Sequence, residues 1–156
     1  MSYDLVIERP DGELFDRRQV EEAIAAWPHL RRYDAESYRS GGSEVVLVAE
    51  RPGMPVDSIA LRVFYESLPQ GFDSACDVAF GLAERLGGQV VDSQLGEVIT
   101  RENRDASRAR AEEAARWARR LGTEFEEPRA YVDAPVGGPA REDEGGRPWW
   151  KFWARD

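Results

Sequence analysis

Residues 74–92, SACDVAFGLAERLGGQVVD, decide the fold. Ala75, Val78, Ala79, Leu82, Ala83 and Leu86 recur at i, i+3 and i+4, the spacing that gathers side chains on one side of a helix. Gly87 stands where the last turn of a helix needs a left-handed residue, a conformation glycine adopts with no Cβ penalty. Gln89, Val90, Val91 and Asp92 then read as a strand. Ser74 and Asp77 have the spacing of a capping box, so the helix is expected to open there. An amphipathic helix that ends on glycine and turns straight into a strand must lie over a sheet to bury its apolar side.

Toward the N-terminus, Tyr3, Leu5 and Ile7 alternate with Asp4 and Glu8, which predicts a strand with one buried face. Pro10, Asp11 and Gly12 form a turn signal. Asp16 is placed to cap a helix that carries Val20, Ala23, Ile24 and Trp27 and stops at Pro28. Residues 30–38 are ambiguous and allow a short edge strand. Gly41 and Gly42 suggest a hairpin turn. Val45, Val46, Leu47, Val48 and Ala49 are apolar on both faces, as in a central strand. Ile59, Leu61, Val63 and Tyr65 alternate as a further strand, with Arg62 and Glu66 opposite.

Toward the C-terminus, Gly96 marks a turn before Val98 and Ile99. Thr100 is expected to cap a third helix that Gly122 ends. Ala106, Ala111, Ala114, Trp117, Ala118 and Leu121 would form its inner face, with arginines and acids outside. Residues 101–121 hold seven arginines and four acids, read as a solvated face. The composition changes after Gly122. Residues 124–146 carry seven acids and two bases among repeated prolines and glycines. The expected organisation is a globular α/β domain over 1–122, a flexible acidic connector over 123–148, and a Trp-rich terminal motif over 149–156. The fold class expected from the element order is α+β, a split β-α-β (ferredoxin-like) sandwich with an extra C-terminal helix and a flexible tail.

The chain has 156 residues and a formal net charge of -9. Such a balance repels phosphate backbones and suits a basic protein partner, so no nucleic-acid partner is expected. One cysteine, Cys76, allows no internal disulfide. No apolar run approaches membrane-spanning length, and residues 1–13 lack the pattern of a signal peptide, so a cytoplasmic location is expected.

Phe72, Ala79, Leu82, Ala83, Leu86, Gly87, Gly88, Val90, Asp92, Gln94 and Thr100 resemble the second half of the FtsZ-binding domain of ZipA. The likeness covers about 50 residues. It implies a split β-α-β fold with a sheet face that receives a peptide. Ser2, Tyr3, Asp4 and Leu5 at the start, with Pro148, Trp149, Trp150, Lys151, Phe152 and Trp153 at the end, resemble uncharacterised small bacterial proteins, some of which look like immunity partners of polymorphic toxins.

No catalytic apparatus emerges. His29 is the only histidine and follows Pro28 in a helix exit, with no nucleophile motif elsewhere. Cys76 in a first helical turn would have a lowered pKa; a small buried residue is the competing reading. Asp57, Asp73, Asp77 and Asp92 flank elements without ligand spacing and read as caps and turns. The glycine pairs lack a following lysine and are not phosphate loops. The chain is therefore expected to need no metal or cofactor and not to be an enzyme. Trp149, Trp150, Lys151, Phe152 and Trp153 form the candidate partner-binding site. Four aromatics in five residues need cover, since each large apolar side chain gains on the order of 1.5–3 kcal/mol when buried. They dock on their own domain, on a partner protein, or at a membrane surface, which the adjacent acidic connector disfavours. The leading expectation is an immunity-type inhibitor of a basic toxin or effector. A peptide-binding adaptor, a membrane-surface tether and, last, a small hydrolytic enzyme are the alternatives.

Overall fold

The computed structural model describes residues 2–40 and 42–124. The connector from 125 onward and the five aromatic-motif residues, Trp149, Trp150, Lys151, Phe152 and Trp153, lie outside the described residues. Over the described residues the protein is a mixed α+β fold in which three helices accompany a seven-stranded antiparallel sheet. The elements are β1 (Ser2–Glu8), α1 (Arg17–Ala25), β2 (Arg31–Arg32), β3 (Ser37–Ser40), β4 (Ser43–Val48), β5 (Ser58–Phe64), a 3-10 turn (Tyr65–Ser67), α2 (Gln70–Leu86), β6 (Gln89–Asp92), β7 (Glu97–Ile99) and α3 (Arg104–Glu124). The strands lie in the order β2-β3-β4-β5-β1-β6-β7.

The alternation of β1 does what its pattern requires. Tyr3, Leu5 and Ile7 are fully buried, while Ser2, Asp4, Val6 and Glu8 are half-buried on the opposite face. The same split runs through β5, where Ile59, Leu61 and Val63 face inward. Val20, Ala23 and Ile24 of α1 and Phe72, Ala75, Val78, Ala79, Leu82 and Ala83 of α2 complete the core against that face. Gly81 on α2 admits Trp27: a Cβ there would lie 2.5 Å from the indole Cζ2. Asp16 caps α1 as its sequence implies, accepting from the Gln19 N–H at 3.0 Å.

Two helix starts differ from the sequence expectation. α2 opens at Gln70 behind Pro69, a full turn before Ser74, because Phe72 is needed in the core. Ser74 and Asp77 thus lie inside the helix and form no capping box. α3 opens at Arg104, because Asn103 Oδ1 takes the Thr100 N–H at 2.6 Å and closes a separate turn first. α3 also runs through Gly122 to Glu124. Its buried line is Ser107, Ala111 and Ala115. Ala106 and Trp117, expected inside, are exposed, Trp117 by 60%. The ambiguous stretch 30–38 resolves into β2 and the start of β3.

The C-terminus of α2 follows its sequence closely. Gly87 has φ of 67° and its N–H donates to the Ala83 carbonyl. Gly88 follows in close contact with β1, where a Cβ would meet the Glu8 carbonyl oxygen at 3.1 Å.

Candidate functional site

α1 and α2 lie on one face of the sheet, and α3 packs beside α2 through Arg108 to Asp73 at 3.2 Å and Arg104 to Asp77 at 3.7 Å. The other face is left without a helix among the described residues. Strand register arranges it in transverse rows, because antiparallel partners put directly opposed side chains on the same side.

One row is apolar. Ser37, Val46, Ala60, Val6, Val91 and Val98 stand opposite one another on six successive strands. Val46, Ala60, Val6 and Val91 are half-buried and Val98 is exposed. Ala60 is the short member, between Val46 and Val6. The adjacent row is charged: Arg39, Glu44, Arg62 and Asp4 are in register across β3, β4, β5 and β1. Glu44 is held from both sides, by Arg39 at 2.9 Å and Arg62 at 3.7 Å. On the far side of the valine row, the Gln89 amide donates to Glu8 at 3.1 Å.

Asp4 ends the charged row without an ion pair among the described residues. Its Oδ1 is enclosed and has no hydrogen-bond partner among them. Burial holds the carboxyl above its ordinary pKa, with Glu44 adding to the effect while Ser2 and Arg62 oppose it. An under-compensated carboxylate costs the fold stability, and it supplies an anchor for an incoming cation. The strand is fixed on this side too: the Ser93 hydroxyl donates to the Asp4 carbonyl at 2.7 Å.

The other acids flagged in the sequence are spread apart. Asp57 is exposed, Asp73 and Asp77 face α3 arginines, and Asp92 is fully buried. Asp92 Oδ2 accepts from the Tyr3 hydroxyl at 2.6 Å, and its Oδ1 accepts from the N–H groups of Gln94 and Leu95 at 2.9 and 3.1 Å. It therefore secures the turn after β6. His29 is exposed and sits edge-on to Trp27. Cys76 lies in the second turn of α2, fully buried, and burial pushes its thiol up to about 12. That answers the reactive-thiol reading in the negative, since the thiolate is the reactive form. No group of three or more His, Cys, Asp or Glu among the described residues is placed to hold a metal. No described helix is long and apolar enough to cross a membrane.

The alternation of β1 alone puts Asp4 on the outward side of the strand and names none of its neighbours. The signal lies in register: only when β1 is paired with β5 does Asp4 join Arg62, Glu44 and Arg39. No family model matches this chain, and no curated protein sequence matches it.

Proposed function

We propose that this chain is a protein-binding module that takes a basic segment of a partner on its open sheet face. The observation that carries the reading is Asp4: a half-buried carboxylate whose Oδ1 has no hydrogen-bond partner among the described residues, beside a row of small apolar side chains. An extended segment alternating cations with β-branched residues would fit both rows, because strand side chains alternate with a period of two. Steering by the net charge of -9 speeds its encounter with a basic protein. Immunity-type inhibition of a basic toxin or effector is the physiological form this reading favours. A peptide adaptor would use the same surface.

The scaffold for this face is, in the same reading, a split β-α-β unit of ferredoxin-like type. β1-α1-β4 and β5-α2-β6 are two crossovers, each split by a strand of the other, and the strand order β4-β5-β1-β6 supports that interleaving. β2, β3, β7 and α3 are then additions at the edges.

The test is a titration with a fluorescent decapeptide of alternating Lys and Val. The expected result is saturable binding that weakens with added salt and is about tenfold weaker for Asp4→Asn, or about 1.4 kcal/mol. Binding indifferent to both salt and Asp4→Asn would overturn the proposal.

A further inference from the structure

We infer that residues 147–156 of this chain dock in cis on the open sheet face, with Lys151 set against Asp4 and the aromatic side chains laid along the valine row. The inference rests on the reading of that face as a binding surface and names its resident occupant.

Three observations favour this occupant. The first is charge. The stretch 124–146 holds seven acids and two bases, whereas 147–156 holds Arg147, Lys151 and Arg155 against Asp156 alone. The cations are therefore concentrated in the same ten residues as the aromatics, and the face offers Asp4, which has no ion pair among the described residues, and Glu8. The second is shape. The row is β-branched except for Ala60, whose short side chain between Val46 and Val6 leaves a low point that an aromatic ring can cover. The third is reach. Residues 125–148 span at most about 80 Å when extended, against a radius of gyration near 14 Å for a body of this size. Both sheet faces are within range of the end of α3, and attachment in cis raises the effective concentration of the terminal motif at the face. A second copy is a poorer occupant, because two bodies of like charge repel. The docked stretch acts as an internal competitor that a basic partner must displace.

Lys151 is the only lysine in the chain, which makes the test specific. Full-length protein at low micromolar concentration is treated with a water-soluble carbodiimide, which joins amines to carboxylates without a spacer, and the products are mapped by peptide mass. The expected product is an intrachain link from Lys151 to Asp4 or Glu8, reduced at least tenfold in the full-length Trp150→Ser, Trp153→Ser variant, which leaves both linked groups in place. Links from Lys151 only to Glu142, Asp143 or Glu144, or to helix-side acids such as Asp73, would overturn the inference. So would a product of doubled mass joining Lys151 to Asp4 between copies, which would assign the face to a second chain. Tryptophan emission gives an independent reading: Ala60→Arg in the full-length chain should shift it to the red by releasing the docked indoles, and an unchanged spectrum counts against docking. Peptide binding sensitive to Asp4→Asn without the Lys151 link would leave the proposed function standing and remove this inference alone. The link without peptide binding would do the reverse.

Discussion

Tyr3 and Asp92 are joined across 89 residues of sequence by a buried hydrogen bond of 2.6 Å from the tyrosine hydroxyl to the carboxylate. Tyr3 also meets Phe72 of α2 edge to face, with ring centroids 5.9 Å apart. The first strand is thereby locked both to the helix above it and to the turn beyond its neighbouring strand. Tyr3→Phe keeps the packing and leaves one oxygen of a buried carboxylate without its donor. The expected loss is about 1–3 kcal/mol in urea unfolding.

The same contact has a pH signature. Burial, then the Asp92 carboxylate, hold the Tyr3 phenol above its ordinary value. A raised folded pKa means the unfolded chain ionises first. The contribution to stability is complete below about pH 10 and is lost as pH rises from there toward the folded value. Thermal melts between pH 9 and 11.5 should fall more steeply for the wild type than for Tyr3→Phe. Parallel curves would contradict this.

Cys76 follows the same sign. Its thiol is pushed up to about 12 by burial, so stability is lost as pH rises from the ordinary thiol value toward 12. At pH 8, iodoacetamide should leave the native protein unlabelled over a time that fully labels it in 8 M urea, as read by intact mass. Native labelling at the unfolded rate would show the thiol to be accessible.

Gly81→Ala places a methyl 2.5 Å from the Trp27 ring, so the indole or the helix must shift. The expected cost is about 1–3 kcal/mol from overpacking. Combining it with Trp27→Phe should recover part of that loss, because the conflict lies with the outer ring of the indole. Equal losses in the single and double variants would place the strain elsewhere.

The helix-glycine-strand corner at residues 74–92 was legible because it is local: apolar spacing, a left-handed glycine and a β-branched run all lie within one window. The outward face of β1 was legible for the same reason. What the sequence did not disclose was long-range. Phe72, needed in the core, pulls the start of α2 forward past a plausible cap; the delay of α3 is the local exception, a turn that Asn103 closes with the Thr100 N–H. Trp117 looked like a core residue by type and spacing, yet Ala111 and Ala115 set the close approach of α3 and rotate the indole out. The candidate site is a matter of register among β3, β4, β5 and β1, and no window of sequence holds all four. The aromatic motif, the most conspicuous feature of the sequence, lies outside the described residues.

Asp4→Asn separates stability from binding. The carboxyl is raised by burial, so its charged form burdens the fold at neutral pH. The amide variant should be more stable at pH 7 by up to about 1 kcal/mol. The difference closes on acidification: as pH falls through the raised folded value the wild type binds its proton and sheds the cost of the buried charge. A variant that is both less stable and a weaker binder would mean that Asp4 serves the fold alone.

The most direct measurement is methyl NMR of the valine- and alanine-labelled full-length protein titrated with the alternating Lys-Val decapeptide. β4, β5 and β6 carry valines or alanines on both faces, so the protein contains its own control. The expected shifts are at Val6, Val46, Ala60 and Val91, with Val45, Val63 and Val90 on the helix side unmoved. Shifts confined to Ala106 and Ala109 of α3, or to the helix-side valines, would contradict it.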